Sequence, residues 1–390
     1  MSVVDAAGAN LFDAGHDAFP FAVAAAAAAL RDHGDLLAAA CACAGNDARL
    51  GGDEAPPAVV SLHLGDALFA HLDDVFVRTA PNSPNAARAR PPAFVAPSRV
   101  VDFGVAGLPR CAGVAAEPRN RSAPVVYVGG NRLELRTPGA SQNCALAVAL
   151  FAAALAEAFD EVAAAVARGA RPLDAAAALW ARGRDAVYGG SCYSAKWHAE
   201  AAARGLASAP SGVDAVERAF ARPGAAAVLA RVFPEDGAAD RWRRTLHDAY
   251  AVAVELEARV AAAMVARVLP ALRAGGHDAA PLERAAADLA AAADAIEGDD
   301  SDDDDGDRGG GGDRVVAIRV DDGEAERTPE PRHGDEAFLA ARRCLDIRRG
   351  PMARVAALSA DAEAKLGTAW PFPTAFELVF SSAADPSDPG

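Results

Sequence analysis

Two arginines flank a glutamate in the stretch Arg132–Arg136, which reads RLELR. Charged and apolar residues alternate with the period of a half-buried strand, so the three charged side chains should share one face and the two leucines the other. A carboxylate between two guanidiniums suits an anionic substrate held together with a metal ion. The same pattern also suits a surface ladder of ion pairs, which is common and contributes little stability.

The element that must position these charges is predicted to be a β-hairpin. The apolar, β-branched run Val125–Val128 forms its first strand, the Gly-Gly-Asn sequence at 129–131 its turn, and Arg132–Arg136 its second strand. Further arginines lie in the surrounding segment Arg119–Gln142. The hairpin is therefore the candidate functional centre of the chain.

Composition indicates a folded, acidic protein. The 390 residues are enough for two domains, or for one large domain with an appendage. The chain is 52% hydrophobic but only 6% aromatic, and alanine supplies much of the apolar share. Because alanine buries little area, the core is expected to depend on scattered Leu, Val and Phe. The net charge of −16 argues against a nucleic-acid partner, since no basic stripe could neutralise phosphates.

The cysteines and the apolar runs indicate a compartment and exclude a membrane partner. Six cysteines lack CxxC spacing and are predicted to be reduced, mostly buried thiols of a cytosol-like compartment, with a metal site as the minor alternative. The N-terminal segment does not resemble a signal peptide. The longest uncharged run, Thr137–Ala156, is polar at its start and alanine-rich, so it is a weak candidate for a membrane span.

Helical periodicity dominates the rest of the chain. The predicted helices are Pro20–Ala44 (interrupted near Gly34), Asp66–Phe76, Gln142–Arg168, Leu173–Arg184, Val213–Ala221, Ala225–Val232, Ala239–Arg273, Pro281–Ile296 and Glu336–Ala364. Gly45–Pro57 is predicted to be a polar loop, Ala58–Leu64 a strand or helix start, and Val100–Val105 a strand. The acidic run Gly298–Asp313 is too polar to pack a core, and we expect a solvated spacer there.

Five segments resemble, in the same order, the type III glutamine synthetases. They cover nearly the whole chain apart from the acidic run, and no phosphate-binding glycine loop or nucleophile motif points elsewhere. The segments are Gly8–Leu30, Ala44–Asp66, Ala116–Asn143, Tyr188–Leu206 and Trp370–Phe380.

The resemblance implies a ligase that joins ammonia to the γ-carboxylate of glutamate with ATP, through γ-glutamyl phosphate, using Mg²⁺ or Mn²⁺. It implies that Arg49 holds glutamate and that Glu54 closes the site and helps to deprotonate ammonium. By the same resemblance, Arg121 neutralises the transferring phosphate, Glu134 binds a metal, and Arg136 grips substrate and intermediate. Such chemistry gathers several negative charges, so arginines and divalent cations suit it.

The loop that carries Glu54 has the composition of a mobile flap. Gly51 and Gly52 give it conformational freedom, and Pro56-Pro57 stiffen its exit. Closure would keep water from an acyl phosphate that otherwise hydrolyses. Without the resemblance, a solvated pair of Arg49 and Glu54 would be the simpler interpretation.

The resemblance implies an α+β fold: a partial glutamine-synthetase-type antiparallel catalytic sheet with helices, followed by a helical C-terminal region. The predicted limits are 1–170 for the partial catalytic domain, 171–297 for the helical region, 298–335 for the acidic linker and 336–390 for the C-terminal helix and tail. The family's ring assemblies imply a homo-oligomer. We expect the cytoplasm as compartment, or a plastid if an upstream segment exists.

The chain also departs from the family in ways that leave alternatives open. The family's N-terminal domain, most of its metal-binding glutamates and its histidine ligand are expected to precede residue 1, so we expect truncation at the front and little ligase activity from these residues alone. His16, His33, His63 and His71 lie outside the family's histidine motif and are expected to be structural or exposed. The alternatives are a catalytically inactive remnant that acts as a binding or assembly partner, and a helical scaffold.

Overall fold

A computed structural model shows an α+β protein that combines many helices with one small sheet. The structure describes residues 1–13, 16–51, 55–79, 120–128, 131–140, 144–209, 211–298 and 334–372. These residues form two compact units, Met1–Leu246 and His247–Gly390. Among the described helices, none is both long and apolar enough to cross a membrane.

Twelve α-helices lie within the described residues, and most begin and end within a few residues of the predicted limits. The domain limits predicted from sequence remain predictions. The helices are α1 Phe19–Ala40, α2 Ala44–Arg49, α3 Asp66–Thr79, α4 Ala145–Ala167, α5 Pro172–Gly183, α6 Ala195–Ala203, α7 Gly212–Ala221, α8 Ala225–Val232, α9 Ala238–Ala274, α10 Ala280–Gly298, α11 Gly334–Ile347 and α12 Ala353–Leu366.

The predicted hairpin is present, and a third strand joins it. β2, Val125–Val128, pairs with β3, Arg132–Leu135, in antiparallel register, and Val126 lies opposite Glu134. β1, Leu62–His63, lies parallel to β2 on its other edge. The sheet is therefore mixed, whereas a purely antiparallel sheet was expected.

The core of the first unit is built around α1. Ala22–Ala29 are each at most 2% exposed, and α4, α5 and α7 all pack against this helix. Small side chains allow backbones to approach closely: a Cβ added to Gly183 of α5 would lie 2.4 Å from the backbone nitrogen of Ala28. Alanine therefore forms much of the core, which the sequence interpretation had assigned to larger side chains.

Aromatic side chains fill the space where α3 meets α5. The buried Trp180 ring lies 5.7 Å from the ring of Phe69 and 5.6 Å from that of Phe76. Its indole Nε1 donates to Asp73 at 3.1 Å, so the polar edge of a buried ring is satisfied. Leu, Val and aromatic residues thus supplement the alanine core, as predicted.

Two local predictions require correction, one is confirmed, and one lies outside the described residues. Residues 44–49 of the predicted loop Gly45–Pro57 form the short helix α2. The predicted interruption of the first helix near Gly34 is confirmed, since His33 has the non-helical dihedrals φ −127° and ψ 19°. The predicted terminal helix is divided at a π-helical turn, Arg348–Met352, where Pro351 cannot donate an N–H. The predicted strand Val100–Val105 lies outside the described residues.

The second unit has a separate helical core formed by α10, α12 and the C-terminal half of α9. Its buried side chains include Val265, Leu272, Leu289 and Leu366. The first residues of the resembling segment Trp370–Phe380 pack against this core, and the Trp370 and Phe372 rings make an edge contact at 5.7 Å.

Candidate functional site

The structure has the charged face of β3 that the alternation of charged and apolar residues predicted. Leu133 is buried and Leu135 is half-buried against the core, while Arg132 and Glu134 are half-buried on the other face. The Arg136 Nε lies 3.8 Å from Glu134 Oε1, a loose ion pair. Both charged groups are partly desolvated, which strengthens their interaction with any charged ligand compared with an exposed ladder.

Arg49 joins the hairpin through the backbone that follows β3. Its guanidinium donates to the carbonyl oxygens of Arg136 at 3.0 Å and Thr137 at 3.1 Å, and to the side-chain oxygen of Asn46 at 3.2 Å. These bonds use three of its five N–H groups. The residue thus has a positioning contact with Arg136 that the sequence did not indicate, and its other two N–H groups have no hydrogen-bond partner among the described residues.

The loop before β2, which carries Arg121, is held by the side chains of Asn120 and Ser122. The Ser122 hydroxyl donates to the Asn120 side-chain oxygen at 2.6 Å and accepts from the backbone N–H of Cys192 at 2.8 Å. The Asn120 amide nitrogen donates to the carbonyl of Gly190 at 2.9 Å. This network fixes the backbone on both sides of Arg121.

The loop is also bound to the end of β3. The backbone N–H of Arg136 donates to the carbonyl of Pro124 at 2.9 Å, and its guanidinium lies 3.5 Å from the carbonyl oxygen of Ala123. The structure therefore brings Arg49, Arg136 and the loop of Arg121 into one region. Glu54, the fifth predicted site residue, lies outside the described residues.

The segment Tyr188–Leu206, identified only through the resemblance, supplies half of this network. The rings of Tyr188 and Trp197 stack with centroids 3.8 Å apart and an interplanar angle of 10°. The hydroxyl of Tyr193 donates to the carbonyl of Arg121 at 3.5 Å. The segment therefore positions the loop that carries Arg121. No residue spacing in the sequence indicates this role.

We expect Ser122→Ala to destabilise the first unit, because it leaves the buried N–H of Cys192 without its acceptor. An unpaired buried donor costs about 1–3 kcal/mol. Urea unfolding followed by circular dichroism measures the loss. The matched variant Ser191→Ala removes an exposed hydroxyl in the same segment and should change the free energy of unfolding by less than about 0.5 kcal/mol. Equal effects of the two substitutions would contradict the network.

A cavity of about 280 Å³ adjoins α2. Polar groups of Asn46, Asp47, Thr137 and Ser211 line it, together with alanine, leucine and proline side chains. Its size is close to the lower end of small-molecule pockets, about 300–1,000 Å³. Thr137, which is buried, has no hydrogen-bond partner for its hydroxyl among the described residues. The cavity therefore offers a concave, mostly apolar space beside the residues that Arg49 holds.

The described surroundings of Glu134 do not fit a divalent cation on their own. Guanidiniums flank this carboxylate, and the part of the chain that the structure describes holds no group of three or more His, Cys, Asp or Glu side chains placed to bind a metal. Hard cations take several oxygen ligands. No catalytic step is therefore assigned to a metal here.

Two described histidines make the structural contacts expected of them. His63 on β1 is buried, and its Nδ1 lies 3.2 Å from the carbonyl oxygen of Tyr188. His33 Nε2 lies 2.7 Å from the carboxylate of Glu157, beside the irregularity in α1. Both rings connect elements of the first unit.

Three of the cysteines are buried free thiols, as predicted. Burial raises the pKa of the Cys41 thiol to about 12 and that of Cys344 to about 11. Burial also raises the pKa of Cys192, although hydrogen bonds from Ser61 and Ser122 oppose the shift. Thiols with a raised pKa remain protonated at neutral pH and are poor nucleophiles.

Among the described cysteines, alkylation of the folded chain should therefore modify Cys144 first, because it is exposed. We expect Cys41, Cys192 and Cys344 to react with iodoacetamide at pH 8 at least about tenfold more slowly than Cys144, and at similar rates after denaturation in urea. Peptide mass spectrometry measures each rate. Rapid native modification of Cys41 would contradict the buried position.

Comparison with known protein families adds a second, independent observation. Residues 178–274, from the middle of α5 to the end of α9, match the family described as glutamine synthetase C-terminal domain. The resemblance to glutamine synthetases predicted from the sequence is thereby confirmed.

Individual relatives give a finer comparison. A glutamine synthetase of Bacteroides fragilis is 32% identical over 235 residues, which are 58% of this chain and 31% of the relative. A type-3 glutamine synthetase of Dictyostelium discoideum is 29% identical over 221 residues, or 54% of this chain and 28% of the relative. The chain thus spans about a third of the length of these curated relatives.

Proposed function

We propose that the chain supplies an arginine-rich part of a glutamine synthetase active site and takes part in the ATP-dependent amidation of glutamate by ammonia. The observation that carries the proposal is the convergence of Arg49, Arg136 and the Arg121 loop at the end of the hairpin. A likeness to glutamine synthetases and a cluster of guanidiniums support the same chemistry, because the reaction gathers carboxylate and phosphate charges.

Each proposed role follows from charge and position. Arg136 and Arg49 bind the glutamate carboxylates, and Arg121 stabilises the charge that develops on the transferring phosphoryl group. Glu54 closes the site and accepts a proton from ammonium, a role that rests on the resemblance alone. When bound, ATP would supply the phosphoryl group that makes γ-glutamyl phosphate. The divalent cations that the resemblance implies would need oxygen ligands beyond Glu134, the one ligand that the resemblance offers in this chain.

This chain contributes to the amidation of glutamate by holding its arginines in fixed positions. The Asn120–Ser122 network and the Arg49 bonds fix the backbone on both sides of the charged groups. Preorganised charges need no reorganisation as the transition state forms, so they stabilise it more than mobile side chains would. The family's assemblies further support a homo-oligomer, and the buried thiols support the cytoplasm as compartment.

The alternative is a catalytically inactive relative that binds ligands or assembles with other subunits. The observation that favours it is the absence, within the described residues, of a carboxylate and histidine cluster for metal ions. Under this alternative the arginine region would still bind glutamate or nucleotide, but it would not turn them over.

The test measures turnover and binding on the same purified chain. Glutamine formed from glutamate, ATP and ammonium with Mg²⁺ is quantified, and the melting temperature is recorded with and without glutamate and ATP. Glutamine formation that requires all three substrates supports the ligase, and ligand-dependent stabilisation without turnover supports the alternative. A chain that shows no turnover and no stabilisation by ligands would contradict both the ligase and the alternative.

A further inference from the structure

The cavity beside α2, about 280 Å³ in volume, is not used by the proposed activity. Its walls come from the end of α1, from α2, from the residue that follows Arg136 and from the start of α7. None of the described site residues Arg49, Arg121, Glu134 and Arg136 lines it. We call this space the α1–α7 cavity.

Hydrogen bonds between the wall segments fix the shape of the α1–α7 cavity. The side-chain amide of Asn46 donates to the carbonyl of Cys41 at 2.6 Å, which joins α2 to the end of α1. The carboxylate of Asp47 accepts the backbone N–H of Gly212 at 2.7 Å, which joins α2 to the start of α7. Ligand sites in proteins are usually largely preformed in this way, because a rigid wall needs no ordering when the ligand binds.

Small side chains leave the space unfilled. Protein interiors rarely contain voids larger than a water molecule, so a cavity of this volume is unusual. Much of its apolar wall consists of alanines, namely Ala38, Ala42, Ala58, Ala209 and Ala215.

The buried hydroxyl of Thr137 lies beside this space without a hydrogen bond. Thr137 lines the cavity and is 2% exposed, and its Oγ1 has no partner among the described residues. A buried polar group without a partner destabilises the folded chain. A ligand with a hydrogen-bonding group would satisfy it.

The charges around the α1–α7 cavity favour an uncharged ligand. Among the described residues, neither lysine nor arginine lines it, and Asp47 contributes a carboxylate, so an anion finds no opposite charge there. The N–H of Gly212 belongs to the first turn of α7, where the helix dipole places partial positive charge. That partial charge already compensates Asp47, so a cation gains little either.

We propose that the α1–α7 cavity binds a small uncharged molecule with a short aliphatic body and one amide or hydroxyl group. The aliphatic body packs against the alanine wall, and the polar group bonds to the Thr137 hydroxyl, which can both donate and accept. The Asn46 amide offers a second N–H beside the one bonded to Cys41. Because ligand pockets usually have volumes of about 300–1,000 Å³, this cavity suits a molecule much smaller than a nucleotide.

The inference does not depend on the proposed activity, because the cavity wall contains none of the described site residues. Ligand-observed NMR of the full chain with propionamide tests it, and propionate and propylammonium serve as charged molecules of similar length. We expect propionamide to bind at least about tenfold more tightly than either ion. Propionamide should also slow the alkylation of Cys41, which lines the cavity, and leave the rate at Cys344 of the second unit unchanged.

Two substitutions locate the binding in the cavity. Thr137→Val keeps the shape of the side chain without its hydroxyl and should weaken propionamide binding at least about tenfold. Ala215→Leu fills the space and should abolish binding. The matched variant Thr245→Val removes an exposed hydroxyl on α9 and should bind propionamide like the original chain.

Circular dichroism checks that each variant is folded, and the alkylation of Cys41 tests the site on the original chain without any substitution. A chain that does not bind propionamide, or that binds propionate equally well, would overturn the proposal. Unchanged binding after Thr137→Val, or an unchanged rate of Cys41 alkylation, would overturn it as well.

Discussion

Replacing Gly183 by alanine should lower the free energy of unfolding of the first unit by about 3 kcal/mol or more. The added Cβ would lie 2.4 Å from the backbone nitrogen and 2.8 Å from the Cα of Ala28. A side chain could rotate away, but these atoms belong to the backbone of α1, so α5 must move off the central helix. That movement would open the alanine core and disturb Trp180, three residues earlier on α5.

Urea unfolding followed by tryptophan fluorescence measures this loss, because Trp180 reports on the contact. The matched variant Ala181→Val adds volume to an exposed position of the same helix and should cost less than about 1 kcal/mol, mainly through helix propensity. A chain that accepts alanine at 183 without loss would show that α1 and α5 are further apart than the structure places them.

The contact at Gly183 also shows what the sequence could not reveal about the core. Helical periodicity was enough to predict α4, α5, α7, α8 and α9 with nearly correct ends, since local pattern determines where a helix forms. The burial of Ala22–Ala29 was not predictable in that way, because an alanine run has no apolar face to distinguish from a polar one. Only the neighbouring helices show that this run is central.

In the candidate site too, the local structure was predictable from the sequence and the long-range contacts were not. The alternation in RLELR predicted the strand and its charged face, because side-chain direction in a strand follows from sequence alone. The bonds from Arg49 to the carbonyls of Arg136 and Thr137 join residues 87 and 88 positions apart. The pair Ser122 and Cys192 is separated by 70 residues. Such contacts depend on tertiary packing, and the resemblance identified the segments without showing how they meet.

Two sets of side chains in the first unit hold backbone beside the arginines, and this affects how substitutions should be interpreted. Ser122 and Asn120 act on the backbone beside Arg121, and Arg49 acts on the backbone at Arg136. Substituting a positioning residue should therefore change stability and ligand binding together. Substituting a residue that contacts the ligand should change binding or turnover with little change in the free energy of unfolding.

Arg136→Ala should remove most of the stabilisation of the chain by glutamate and ATP, and it should reduce any glutamine formation, expressed as kcat/KM, by about 10²–10³-fold, because it removes a preorganised donor from the position where negative charge gathers. Its guanidinium is largely buried between Glu134 and the carbonyl of Ala123, so it is held ready for a carboxylate or phosphate. Arg136→Lys keeps the charge but loses the planar fork, and we expect it to recover only part of the activity. The stabilisation of the chain by glutamate and ATP should fall in parallel.

The matched control is Arg171→Ala, which removes an exposed arginine of the same unit whose ion pair with Asp174 lies on the surface. Surface pairs contribute about 0–1 kcal/mol, so turnover and ligand stabilisation should be unchanged in this variant. If Arg136→Ala and Arg171→Ala behave alike in both measurements, the charged face of β3 is a surface ladder of ion pairs and the ligand site lies elsewhere. If only Arg136→Ala loses ligand stabilisation, the hairpin is the binding element, because both variants lose the same charge and only one of them lies at the site.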